Sequence, residues 1–286
     1  MRNFRFLLII IALAGCSRTE KRIKRAEIYM KKMEPLKAIS LLSSDSSARA
    51  LLMLAKIHFK IDHPAEGIET IEKLCRLHPE KCKDGLKIVE EYKEKAMKSG
   101  RRYAAVQCIL TLKKLDPDYK GEEDLKYLGD YYYDKEDYED AVQYYEEWLL
   151  TDSTDIDTRL KLSRAFQKLG NLENAYSVLK NGEKISGGWE VRYELGKVSF
   201  LLGKKFFKEG NYVMAEEFLK ETIKIGLPEV LIDDAYFLLG DIAFSKNDSR
   251  QAEIYYRKVI DLNRFSSNAI VRKAQKRIEL CNRMGG

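Results

Sequence analysis

The residues best suited to chemistry lie in one short stretch, Cys75-Arg-Leu-His78-Pro-Glu-Lys-Cys82, which sets two thiols and an imidazole within eight residues. Soft ligands so close together suit zinc. A tetrahedral site needs a fourth ligand, however, and only His58 or His63 could supply it from a facing helix. A helix end whose thiols pack inward accounts for the same residues, and neither metal nor cofactor is expected. Oxidation is the other chemistry open to thiols. Four cysteines follow residue 16, namely Cys75, Cys82, Cys108 and Cys281, and their spacing is no disulfide framework. A Cys75–Cys82 bridge, a Cys75–Cys108 bridge and buried free thiols all remain open. The sequence has no Gly-rich phosphate loop, no G-x-S-x-G elbow and no His-Glu-x-x-His, and only three histidines. Neither catalysis nor a small-molecule substrate is expected.

A fifth cysteine stands in a different setting. The chain opens MRNFRFLLIIIALAGC, with Arg2 and Arg5 before an apolar stretch from Phe6 to Leu13. Eight apolar residues are too few to span a bilayer, which takes about 20, but they suit the core of a secretory signal. The end of that stretch, Leu13-Ala14-Gly15-Cys16, resembles the lipobox of bacterial lipoproteins. The resemblance implies cleavage before Cys16 and lipid on its thiol and amine, and two or more acyl chains hold a protein stably. Ser17, where aspartate often signals retention at the inner membrane, implies the periplasmic face of the outer membrane, with the inner membrane or a Gram-positive cell membrane as the alternatives. Residues 1–15 are thus expected to be a signal peptide, and 16–25 a lipidated, basic tether. Arg18, Lys21, Arg22, Lys24 and Arg25 would be drawn to an anionic membrane by about 1 kcal/mol each; a flexible tether without lipid preference fits the same residues.

Charge excludes other classes. The chain carries 51 Lys+Arg against 45 Asp+Glu, and loss of Arg2 and Arg5 leaves 49 against 45, a net charge near +4. That balance does not fit nucleic-acid binding. Charged residues make up 34% and prolines number five, as in a helical protein with a solvated surface. No apolar run after residue 16 is long enough to cross a membrane.

The elements that position these residues repeat with a period of 34. From 122 the sequence places Leu125, Leu128, Gly129 and Tyr132 at repeat positions 4, 7, 8 and 11, with Ala141 at 20 and Tyr145 at 24. This resembles the tetratricopeptide repeat, in which small residues let two antiparallel helices approach closely. The frame recurs at 48–81, 86–119, 156–189, 196–229 and 233–266. A degenerate unit at about 26–47 uses Ala26, Tyr29, Ala38 and Leu42. A basic segment at 268–281 follows, as a capping helix. The expected fold is therefore all-α, a superhelical solenoid of about seven helix-turn-helix units plus a C-terminal cap. Lys93 and Ser163 depart from the small residue at position 8. Gly182, Gly187 and Gly188 suggest a looser joint.

In this family the first helix of each unit lines a concave groove. The resemblance puts Asp130, Tyr133, Lys197, Phe200, Lys204, Phe207, Lys208, Phe237 and Phe244 on that surface. Large rings on a concave face serve as anchors for a bound peptide or helix, with lysines favouring an acidic segment; superhelical closure could instead bury the rings. Between 122 and 157 there are 14 acidic residues against Lys126 and Lys135, and eight tyrosines and Trp148 fall between 119 and 148. These form either an acidic docking patch or a solvated face over repeat core. The expected partners are other envelope proteins or peptide segments, and the membrane through Cys16, but no nucleic acid. The repeats most resemble the BamD and CpoB style of lipidated tetratricopeptide protein, which implies a scaffold in envelope assembly. A BamD-like part in outer-membrane protein assembly, or an accessory that binds an envelope glycan during export, are the alternatives.

Overall fold

The computed structural model describes residues 18–264 and 268–284, so Cys16 and the apolar leader lie outside the described residues. Helices with short turns make up the fold, and no strand occurs among the described residues. The chain divides into two compact units, Met1–Asp124 and Leu125–Gly286, each taken by itself below.

The first unit holds three helix pairs: α1 (18–31) with α2 (Pro35–Leu42), α3 (Ala48–Lys60) with α4 (Pro64–Leu77), and α5 (Cys82–Lys98) with α6 (Arg102–Leu115). Helix α1 is already formed at residue 18. Most of the stretch expected to be a tether is thus helical, because Ile23 and Ala26 bury against Ala38, Leu42, Ala50, Leu54 and Ile57. The remaining elements are α7 (Glu122–Asp134), α8 (Tyr138–Thr151), α9 (Ile156–Lys168), α10 (Leu172–Ile185), α11 (Trp189–Lys208), α12 (Tyr212–Ile225), α13 (Ile232–Ser245), α14 (Ser249–Leu262) and α15 (Ala269–Met284). They give four more pairs and a last helix, whose Ala274 and Cys281 are buried with Ala243, Tyr256 and Val259. Helix α10 runs through Gly182 to Ile185, and α11 starts seven residues ahead of its repeat frame.

Each turn between paired helices is built the same way. Position 15 takes the left-handed backbone in every pair: Met33, Asp62, Gly100, Glu136, Gly170, Gly210 and Asn247 all have φ between 58° and 76°. This is the residue past a helix end whose N–H satisfies a terminal carbonyl, as the Gly170 N–H does on the Gln167 carbonyl. Glycine adopts it without steric cost, whereas an L side chain there costs about 1 kcal/mol. One residue later, Asn171, Asn211 and Asp248 accept hydrogen bonds from the backbone N–H of Asn174, Met214 and Gln251, and so start the second helix. Position 8 fixes how closely the pair packs. A Cβ at Gly129 would lie 2.5 Å from the Tyr145 ring, and one at Gly240 would lie 2.7 Å from Tyr256 Cδ1, so only glycine fits.

Candidate interaction surface

In the second unit the groove positions carry a repeated polar linkage. The fully buried Tyr145 donates its hydroxyl to Asp130 Oδ1 at 2.7 Å, and Lys161 of the following helix reaches the same oxygen at 2.7 Å. Three repeats on, Tyr256 donates to Asp241 Oδ1 at 2.8 Å, and Arg277 of the last helix lies 3.1 Å from it. Burial raises both phenols, and the adjoining carboxylates raise them further, so each stays a donor. Asp130 thus ties one helix pair to the next. A separate anchor opens α9. Asp155 accepts from Lys126 Nζ at 2.7 Å, Trp148 Nε1 at 2.8 Å and the Thr158 N–H at 3.0 Å. Burial alone would raise its carboxyl, but these donors outweigh it and the net shift is downward.

The rings fare differently from expectation. Phe200 is 7% exposed and packs in a core with Ala215, Leu219, Ala235, Leu239 and Ile242. It is a core residue and not a groove anchor. Ala235, Leu239 and Ile242 of that core belong to α13, so the next pair covers the ring. Phe207, Phe237 and Phe244 are half-buried. Phe207 tilts on Tyr212 at 5.9 Å, Phe237 on Tyr256 at 5.5 Å, and the Arg277 guanidinium covers Phe244 at 5.7 Å. Tyr133 meets the Tyr138 ring edge-on at 5.4 Å, and burial raises its phenol. Phe200 thus belongs to the core, while Phe207, Phe237 and Phe244 lean on neighbouring side chains and keep part of their surface open.

The charges divide along α11. Lys197 lies 3.5 Å from the buried Glu194, which also accepts from Arg164 Nε at 3.0 Å. Lys204 and Lys208, one turn apart, are exposed and border a cleft with Leu201, Lys205 and Glu209. Of the residues read as groove-lining, these two offer charge to solvent. Sequence spacing placed them on one face. It did not show that the phenylalanines between them turn inward.

In the first unit, Cys75 and Cys82 are joined by a disulfide between α4 and α5. Both sulfurs of the candidate metal cluster are thereby occupied, and His78 Nε2 lies 2.8 Å from the Ser46 carbonyl oxygen. Cys108 and Cys281 are buried free thiols, with burial raising Cys108 to about 12. No group of side chains able to hold a metal ion, and no helix long and apolar enough to cross a membrane, occurs among the described residues. The sequence marks Lys93 as a departure from the small residue at position 8 but gives no sign of its partners: it is 5% exposed and donates to Asp124 Oδ2 at 2.9 Å and to the Tyr119 hydroxyl at 3.0 Å. Burial pulls its pKa down, but these partners outweigh it and raise it overall.

Residues 128–153 and 233–265 match the tetratricopeptide repeat family. No curated protein matches the chain. Similar solved structures include the C-terminal part of a TPR repeat-containing protein from Cytophaga hutchinsonii, at 16% identity and TM-score 0.43 over 90% of this chain and 99% of that one. A TPR repeats protein from Bacteroides fragilis is 15% identical with TM-score 0.46, covering 70% and 98%. The MamA protein is 24% identical with TM-score 0.39, covering 58% and 82%. The two matched segments are the pairs that carry the Gly-Tyr-Asp linkage, and the chain is built on helix pairs of the tetratricopeptide type.

Proposed function

We propose that this protein is a lipid-anchored scaffold of the bacterial envelope that docks other proteins through the face of α11 that carries Lys204 and Lys208. The observation that carries the reading is the exposed pair Lys204 and Lys208, beside a cleft, in an array whose other groove positions are held by internal contacts. Two lysines one turn apart suit an acidic peptide segment, with charge steering its approach and register. The anchor is the lipid proposed on Cys16, and Ser17 after it favours the periplasmic face of the outer membrane. Tetratricopeptide arrays present a surface for a partner and contribute no catalytic group of their own.

Affinity capture on the full-length chain from detergent-solubilised envelopes tests this reading. Stoichiometric recovery of an envelope protein, abolished by excess acidic peptide, is the expected result. Recovery of glycan without protein would replace the scaffold with a polysaccharide accessory.

A further inference from the structure

The first helix pair exposes a face that its own packing does not use. Ile23 and Ala26 turn α1 inward, and Asp45 clamps that orientation by accepting from the Thr19 hydroxyl at 2.9 Å and pairing with Arg22 at 3.6 Å. At 100° per residue, Lys21, Lys24, Arg25, Lys31 and Lys32 then fall within about 60° of Ile28 on the opposite side. All six are exposed. Glu20 and Glu27 lie outside that arc, and Glu34 is held by Lys37 at 2.8 Å.

The tip of the same pair is apolar. Met33, in the left-handed turn, is 86% exposed, and Leu36, in the first turn of α2, is 71% exposed. The two side chains stand three residues apart, next to Lys31 and Lys32. Isolated apolar tips set in a basic surround suit a surface that is anionic outside and apolar just beneath. An acidic protein would match the lysines, but two side chains projecting from a turn call for a soft layer to enter.

We propose that the outer face of α1, with Met33 and Leu36 at its tip, docks on an anionic phospholipid surface. The lysines would lie at the headgroups and the two tips in the interface. This rests on the membrane location proposed above and adds to it. The lipid on Cys16 would hold the chain nearby, and this face would set which side of the first helix pair meets the bilayer.

The test uses the full chain with Cys16→Ser and Met33→Cys, labelled with a polarity-sensitive fluorophore. Cys108 and Cys281 are buried and Cys75 is bridged to Cys82, so residue 33 carries the accessible thiol. Whatever holds the chain to a vesicle, the label reports only whether residue 33 enters the interface. A blue shift is expected on phosphatidylcholine–phosphatidylglycerol vesicles and none on phosphatidylcholine alone. Lys24→Gln, Lys31→Gln and Lys32→Gln together should lower the ratio of docked to undocked label about a hundredfold, at roughly 1 kcal/mol per lysine. An unshifted label on the anionic vesicles overturns the proposal, as does an equal shift from a label placed by Val213→Cys in the second unit. The mass of the residue-16 peptide from cells tests the anchor separately. An unmodified peptide would remove the lipoprotein reading and leave the shift at residue 33 untouched.

Discussion

The third helix pair and the fourth and seventh solve one packing problem in opposite ways. In the fourth and seventh, glycine at position 8 lets the position-24 tyrosine lie against the backbone and reach the aspartate at position 9. In the third, position 8 is Lys93, position 24 is Ile109, and the space is closed by a buried cation held by Asp124 and Tyr119. The fourth and seventh pairs are the ones that match the family model. A repeat frame thus specifies where two helices touch, while the chemistry at the contact is free to change. The apolar solution tolerates loss of a hydroxyl. The ionic one depends on both partners.

The largest effect should follow from breaking the ionic solution. Asp124 is 4% exposed, so Asp124→Ala removes the buried carboxylate that holds Lys93 and should cost about 3–5 kcal/mol in urea unfolding. Replacing both groups, with Lys93→Met and Asp124→Leu, should recover most of it. Equal loss in the single and double variants would show that shape rather than charge closes this pair.

Next comes Asp155, whose four donors make Asp155→Ala worth about 2–3 kcal/mol. The two sites should also separate by pH. Asp155 has its folded pKa below the unfolded value, so its contribution is present above about pH 4 and fades as pH falls through that range. Lys93 has its folded pKa raised, so its contribution holds below about pH 10.4 and fades at higher pH. Thermal unfolding at pH 3 and at pH 11 distinguishes them: Asp155→Ala should flatten only the acid limb.

Smaller effects test the glycine solution. Gly129→Ala and Gly240→Ala drive a methyl into a tyrosine ring and should cost about 1–3 kcal/mol each. The smallest is Tyr145→Phe, about 1 kcal/mol, since Lys161 still satisfies Asp130. A Tyr145→Phe cost as large as that of Gly129→Ala would put the stability in the linkage and not in the close approach.

Much of the architecture was legible because the frame repeats. Position 20 is alanine at 105, 141, 175, 215 and 252, and all five are fully buried. Even the degenerate first unit keeps its frame, with Ala26, Ala38 and Leu42 fully buried. The turn residue was less visible, since Met33 and Glu136 adopt at position 15 a backbone that sequence reading assigns to glycine. The surface was least legible. Phe200 sits at a position of the groove face, yet it is buried, because Ala235, Leu239 and Ile242 of the next pair share its core. Periodicity gives the direction in which a side chain leaves its helix, and the adjoining pair decides whether that direction is solvent. The acidic run between 122 and 157 shows the same limit: Asp130 and Asp155 are occupied by lysines, while Glu136, Glu139 and Asp157 stay exposed.

The docking claim is tested most directly by capturing partners from solubilised envelopes with the full chain and with its Lys204→Glu/Lys208→Glu variant, each checked for an unchanged urea midpoint. Both lysines are exposed, so the variant should fold as the parent does. Loss of the captured protein at an unchanged midpoint is the expected result. Capture unaffected by the reversal would contradict the account and move the partner's site off α11.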